Sequence, residues 1–68
     1  MSETAQYPEF HVGDLVRFRY AYRTIEGRII EDRGAIALGG QHLYRVLVDR
    51  EYVRRELELP ADELEKVG

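Results

Sequence analysis

The residues of this chain whose types could do chemistry are few. They are His11 and His42; the acids Glu26, Glu31 and Asp32; the glycines Gly34, Gly39 and Gly40; and an arginine stripe at Arg17, Arg19 and Arg23. A protein metal site draws on three or four ligands held by supporting hydrogen bonds. Two histidines far apart in a chain without cysteine do not supply that, and they read as surface or turn residues. Glu31 and Asp32 are adjacent, and adjacent residues of a strand point to opposite faces. They therefore do not converge on one substrate atom and read as turn acids paired with Arg28 or Arg33. Ser2 is the sole serine and there is no cysteine, so the usual nucleophile arrangements are missing. No Lys-Ser/Thr follows the glycines, and no helix stands ready to receive a phosphate, so they read as turn and bulge residues. The expectation is a chain that is no enzyme and uses neither a metal nor a cofactor.

Two surfaces remain as candidates for binding. In the first, Arg17, Arg19 and Arg23 share one strand parity. With Arg45 or Arg28 from a neighbouring strand and Tyr20 or Tyr22 at the edge, they would engage phosphates and stack bases. The competing reading is a solvated face cross-paired with Glu56 and Glu58, and the number of acids on the last strand favours it. In the second, Ile36 and Leu38 lie between Gly34 and Gly39-Gly40, in a loop long enough to suggest a functional role.

These surfaces are positioned by short alternating segments. Leu15 to Arg23 alternates with period two, placing Val16, Phe18, Tyr20 and Tyr22 on one face and Arg17, Arg19, Ala21 and Arg23 on the other. Phe10 to Asp14 ahead of it carries a Gly-Asp turn signal. Thr24 to Gly27 reads as a break and residues 27–31 as a short second strand. Residues 32–42 read as a long loop or ribbon that leaves room for a strand fragment at 35–38. Leu43 to Val48 is the clearest strand, with Tyr44, Val46 and Val48 inward and Leu43, Arg45 and Leu47 outward. Asp49-Arg50-Glu51 reads as a turn, and residues 53–59 as a last strand with Leu57 and Leu59 inward. Arg55 shares that inward parity, which predicts a bulge or a late strand start beside it. Pro60 to Glu65 reads as one helical turn whose Leu64 plugs an open barrel end. Residues 1–9 read as a flexible lead-in, and 10–68 as one domain.

Composition agrees with a small soluble domain: 44% hydrophobic and 34% charged residues, with no disulfides to supplement a small core. The net charge of −3 hides a gradient. Residues 10–50 carry a surplus of two positive charges and residues 51–68 a deficit of three, so a basic face remains open to this chain. Met1 to Pro8 lack a basic start and an apolar run, and no stretch approaches the roughly 20 apolar residues of a membrane span. The expected location is cytoplasmic.

The alternation predicts an all-β fold, a small barrel or sandwich of four or five antiparallel strands. Phe10-His11-Val12-Gly13-Asp14-Leu15-Val16 resembles the VGDxV opening of SH3-like barrels, and Gly27-Arg28-Ile29-Ile30-Glu31 their second strand. Leu43 to Val48, followed by Leu57 to Glu65, resembles their third and fourth strands and the short helical turn after them. In outline, residues 10–66 resemble the Tudor-like barrel of CarD-type RNA-polymerase-interacting domains, and the first two strands resemble KOW modules. The insertion at 32–42 departs from both patterns. The resemblance implies an SH3-like barrel, with a role associated with transcription or the ribosome.

The function expected from this reading is noncatalytic binding of another protein, as an accessory or adaptor module that is monomeric or weakly dimeric. The partner-binding residues would be Ile36, Leu38, Leu43 and Leu47, a contiguous apolar patch that a soluble monomer seldom exposes without use. The alternative partner is RNA or DNA, bound through Arg17, Arg19, Arg23, Tyr22 and Arg45. A third reading is a small enzyme subunit or regulator that works only when docked on a larger protein.

Overall fold

Alternating apolar residues in β-forming runs demand a sheet with one buried face. The computed structural model, which describes residues 7–50 and 53–68, contains such a sheet. Its strands are β1 (Leu15–Tyr20), β2 (Arg23–Asp32), β3 (Leu43–Arg50), β4 (Val53–Pro60) and β5 (Glu65–Lys66). All pairings are antiparallel, in the order β4-β3-β2-β1-β5, and no pairing between described residues joins β4 to β5. Among the described residues the only helical pieces are two 3-10 turns, Leu38–Gly40 and Ala61–Glu63. No helix there is long and apolar enough to cross a membrane.

The inward parity of β1 and β3 is as the sequence predicts. Val16, Phe18, Tyr44, Val46 and Val48 are buried with Phe10, Ile29, Ala61 and Leu64, and Leu57 and Leu59 pack against them. The edge of the Phe10 ring meets the Tyr44 ring 5.5 Å away, and the Phe10 amide donates to the Tyr44 hydroxyl at 3.2 Å. The one-turn segment after β4 is a 3-10 turn, and it delivers Ala61 and Leu64 to the core. Tyr7, within the expected lead-in, already packs on this core; the Met1–Gln6 part of that lead-in lies outside the described residues.

Several boundaries differ from the expectation. The first hairpin turns at Ala21-Tyr22, not at Thr24 to Gly27, because Tyr20 pairs with Arg23. Ala21 takes a left-handed φ of 58°, a conformation with no signal in an alanine. Gly27, read as a breaker, sits inside β2 opposite Val16. A Cβ there would lie 2.6 Å from Val46 Cγ1 and 2.8 Å from the Leu47 carbonyl oxygen, so the missing side chain is what lets β3 approach. Asp49 and Arg50 belong to β3, whose ladder runs to the Arg50–Val53 pair. The Glu51 position of the expected turn lies outside the described residues. No bulge forms beside Arg55, since the β3–β4 register is continuous. Its inward parity is tolerated because the residue lies beyond the core and is exposed. The bulge falls instead in β2, between Ile29 and Glu31. No strand fragment forms at 35–38.

Candidate functional site

The loop 33–42 is tied down at its root. The Arg33 amide donates to the Leu43 carbonyl at 2.7 Å, and the Leu43 amide to the Gly34 carbonyl at 3.0 Å. Asp32 accepts from the Gly34 amide at 2.8 Å and contacts His42 Nδ1 at 2.8 Å. These contacts hold the Asp32 carboxyl below its ordinary value, first through the Gly34 amide and then through His42. Gln41, only 6% exposed, donates from Nε2 to the Leu38 carbonyl and accepts at Oε1 from the Asp62 amide, stitching the loop to the second 3-10 turn. Gly39 and Gly40 take consecutive left-handed φ values of 77° and 79°, which only glycine adopts freely. The Tyr7 hydroxyl closes on the space a Gly39 side chain would need.

This fixed frame leaves two apolar side chains in solvent, Leu38 at 91% and Ile36 at 66% exposure. They do not fold back over the core. The four residues predicted to form one apolar patch divide between two places. Leu43, half-buried, anchors the loop root through its backbone. Leu47 stands about 13 Å further along β3 at the strand repeat. It lines a hollow on the outer face with Leu15 and Ile30, beside Arg28. The Arg28 guanidinium donates to the Gly13 carbonyl at 2.6 Å.

Between Leu43 and Leu47, Arg45 is enclosed by carboxylates. It donates to Glu58 at 2.8 Å and lies 3.7 Å from both Glu31 and Glu56. Arg33 bonds the same Glu58 oxygen. The Arg45 hydrogen bond, aided by Arg33, holds the Glu58 carboxyl below its ordinary range, and Arg45 is correspondingly raised.

The arginines singled out for nucleic acid do not share one surface. Arg17 and Arg19 face outward and line a hollow with Asp62, Glu63 and Glu65, with Arg17 3.9 Å from Glu65. The acids beside this stripe thus come from the C-terminal segment and from Glu26, the cross-strand partner of Arg17. The expected partners Glu56 and Glu58 lie on β4, separated from β1 by two strands, and serve Arg45 and Arg33 instead. Arg23 pairs with Tyr20 across the hairpin and shares its face, opposite to that of Arg17 and Arg19. Tyr22 is 96% exposed at the hairpin tip.

A third surface lies where the inward face runs past the core toward the two hairpin tips. Tyr20, Arg23 and Ile25 from β1 and β2 meet Val48, Arg50, Val53, Arg55 and Leu57 from β3 and β4 around a cleft of about 460 Å³. Sequence reasoning placed Tyr20 on the face of Val16 and Phe18 and Arg50 in a turn, and did not assemble this site. The available signal was the inward parity of Arg55. Among the described residues no group of metal-ligating side chains converges. No protein-family model, curated protein or solved structure matches the chain.

Proposed function

We propose that the chain is a noncatalytic protein-binding module on an SH3-like small barrel, an accessory or adaptor of cytoplasmic machinery. Loop 33–42 is its contact element. The observation that carries this reading is the exposure of Leu38 and Ile36 on a loop whose root is fixed by backbone, Asp32 and Gln41 hydrogen bonds. A loop ordered before binding loses little entropy on docking, so its two apolar side chains translate efficiently into affinity. Leu43 supports the loop from behind. Leu47 belongs to a separate outer-face hollow, where it would extend the contact only for a large partner.

Strand connectivity supports the barrel. A flat five-stranded sheet puts its edge strands about 19 Å apart, four gaps of about 4.8 Å. Here the edge strands β4 and β5 are joined only by Ala61 to Leu64, and three of those residues form a tight 3-10 turn. Five residue steps reach about 17 Å when fully extended. Strands that coil toward one another, as in a small barrel, bring the two edges within that reach. The noncatalytic reading is supported by the occupation of the candidate groups: Glu31 lies beside Arg33 and Arg45, and Asp32 and His42 fix the loop root.

The test is affinity capture after nuclease treatment, comparing the natural chain with an Ile36→Asp/Leu38→Asp variant. The variant should keep its circular dichroism spectrum and melting midpoint and lose the captured protein. A folded variant that retains the same protein overturns the reading. Light scattering of both chains separates a weak homodimer through this loop from a foreign partner.

A further inference from the structure

We propose that the cleft between the two hairpin tips binds single-stranded nucleic acid. This surface is separate from loop 33–42 and goes beyond the protein-binding reading. Its floor is apolar, made by Ile25, Val48 and Leu57, with the exposed Val53 beside them. Its rim carries Tyr20, 44% exposed, and the guanidiniums of Arg23, Arg50 and Arg55. Strand register places all of these on the inward face: Arg23 opposite Tyr20, Arg55 opposite Val48, and Arg50 opposite Val53.

Charge decides the class of ligand. Among the described residues no carboxylate lines the cleft, and none of the three rim arginines forms an ion pair with a described acid. That contrasts with Arg17, Arg33, Arg45 and Arg54, each within 4 Å of a carboxylate. In a chain of net charge −3, a cleft lined by three arginines and no described acid is a local inversion that selects an anion. Guanidinium groups match the oxygens of a phosphate. The apolar floor and the exposed Tyr20 select a ligand that also carries planar, partly apolar groups. Phosphates alternating with bases meet both requirements, and the cleft volume falls in the range of sites for such groups. An acidic peptide would satisfy the arginines and leave the floor unused.

The experiment is fluorescence anisotropy of the full chain with labelled dT12 and rU12, titrated with salt. The natural chain should bind at low salt, and the tighter of the two oligonucleotides identifies DNA or RNA as the source. Arg23→Gln/Arg50→Gln/Arg55→Gln should weaken binding at least tenfold. It should also flatten the slope of log affinity against log salt by about 2, at roughly 0.7 per phosphate contact. Arg55→Gln alone should give a part of both effects. Tyr20→Leu should cost roughly tenfold with the salt slope unchanged, the signature of lost stacking. Arg17→Gln/Arg19→Gln on the other face should bind as the natural chain does. The proposal is overturned if neither oligonucleotide binds or if the outer-face pair carries the affinity. It is overturned equally if a polyglutamate peptide of equal charge binds as tightly as the oligonucleotides.

Discussion

The inward face of this sheet ends differently at its two extremities. At one, Phe10, Ala61 and Leu64 arrive from outside the long strands and cover Tyr44, Val46 and Val16. At the other, the same alternation continues through Tyr20, Arg23, Arg50, Val53 and Arg55, and no described segment covers it. Alternation sets which way a side chain points; burial follows only where another segment closes over that face. The covered end should therefore respond to substitution as a core does, and the open end as a surface does.

The largest contrast is expected at Phe18, buried beneath the covering segments. Phe18→Ala should cost about 3–5 kcal/mol, comparable to the whole stability of a domain this small. Denaturant unfolding followed by tyrosine fluorescence reads it directly. A variant with an unchanged midpoint would remove the distinction between the two ends. Next comes Gly27, where an added methyl meets Val46 and the β3 backbone at under 3 Å. Gly27→Ala should cost about 1–3 kcal/mol, because the backbone oxygen cannot step aside without disturbing the ladder.

Most of the covered end is legible in the residues, and most of the open end is not. Val16, Phe18, Tyr44, Val46 and Leu57 declare themselves by period-two apolar alternation, and the Gly13-Asp14 turn by its residue types. The turn at Ala21-Tyr22 carries no such mark, so strand β1 reads three residues too long and Arg23 falls on the wrong face. Gly27 sends the opposite false signal, because close packing and chain reversal both call for glycine. Asp49 and Arg50 have turn-like composition but stay in the strand, where outer-face Asp49 lies 3.6 Å from Arg54. The carboxylates around Arg45 come from two different strands, and only the register shows that Glu31, Glu56 and Glu58 meet there. The exposure of Ile36 and Leu38 depends on which loop groups hydrogen-bond inward, and composition does not carry that.

Ala21 sits between the large effects and the small. Its positive φ is costly for any residue with a Cβ. Ala21→Gly should stabilise the chain by about 0.5–1 kcal/mol, seen as a higher unfolding midpoint, with the open cleft unchanged.

Acid should weaken the outer face and the turns before it reaches the core. Asp14 is held below its ordinary value by the His11 amide and by Lys66, Asp32 by the Gly34 amide and His42, and Glu58 by Arg45 and Arg33. A carboxyl lowered on folding contributes stability above its unfolded value, about 4, and loses it as the pH falls through the lower folded value. Melting midpoints should therefore hold from about pH 5 upward and decline below about pH 4. Glu58→Gln should lower the midpoint at neutral pH and match the natural chain in strong acid. An equal gap at both extremes would mean that the Arg45 cluster is held by packing rather than by charge.

The smallest effect is expected at the open end itself. Arg55 has the same inward parity as Leu57 and Leu59, yet it is solvent-exposed and meets no described carboxylate. Arg55→Gln should change stability by less than about 0.5 kcal/mol, the range of surface substitutions without a named structural role. The sign carries the information. Three guanidiniums facing one cleft repel each other, so removing one should leave stability unchanged or raise it slightly. Added salt should produce the same gain in the natural chain by screening that repulsion, and a smaller gain in the variant. Unfolding midpoints at about 20 mM and 300 mM salt compare the two. If Arg55→Gln instead costs as much as a core truncation, the inward face is covered at both ends, and the cleft is not free to take a ligand.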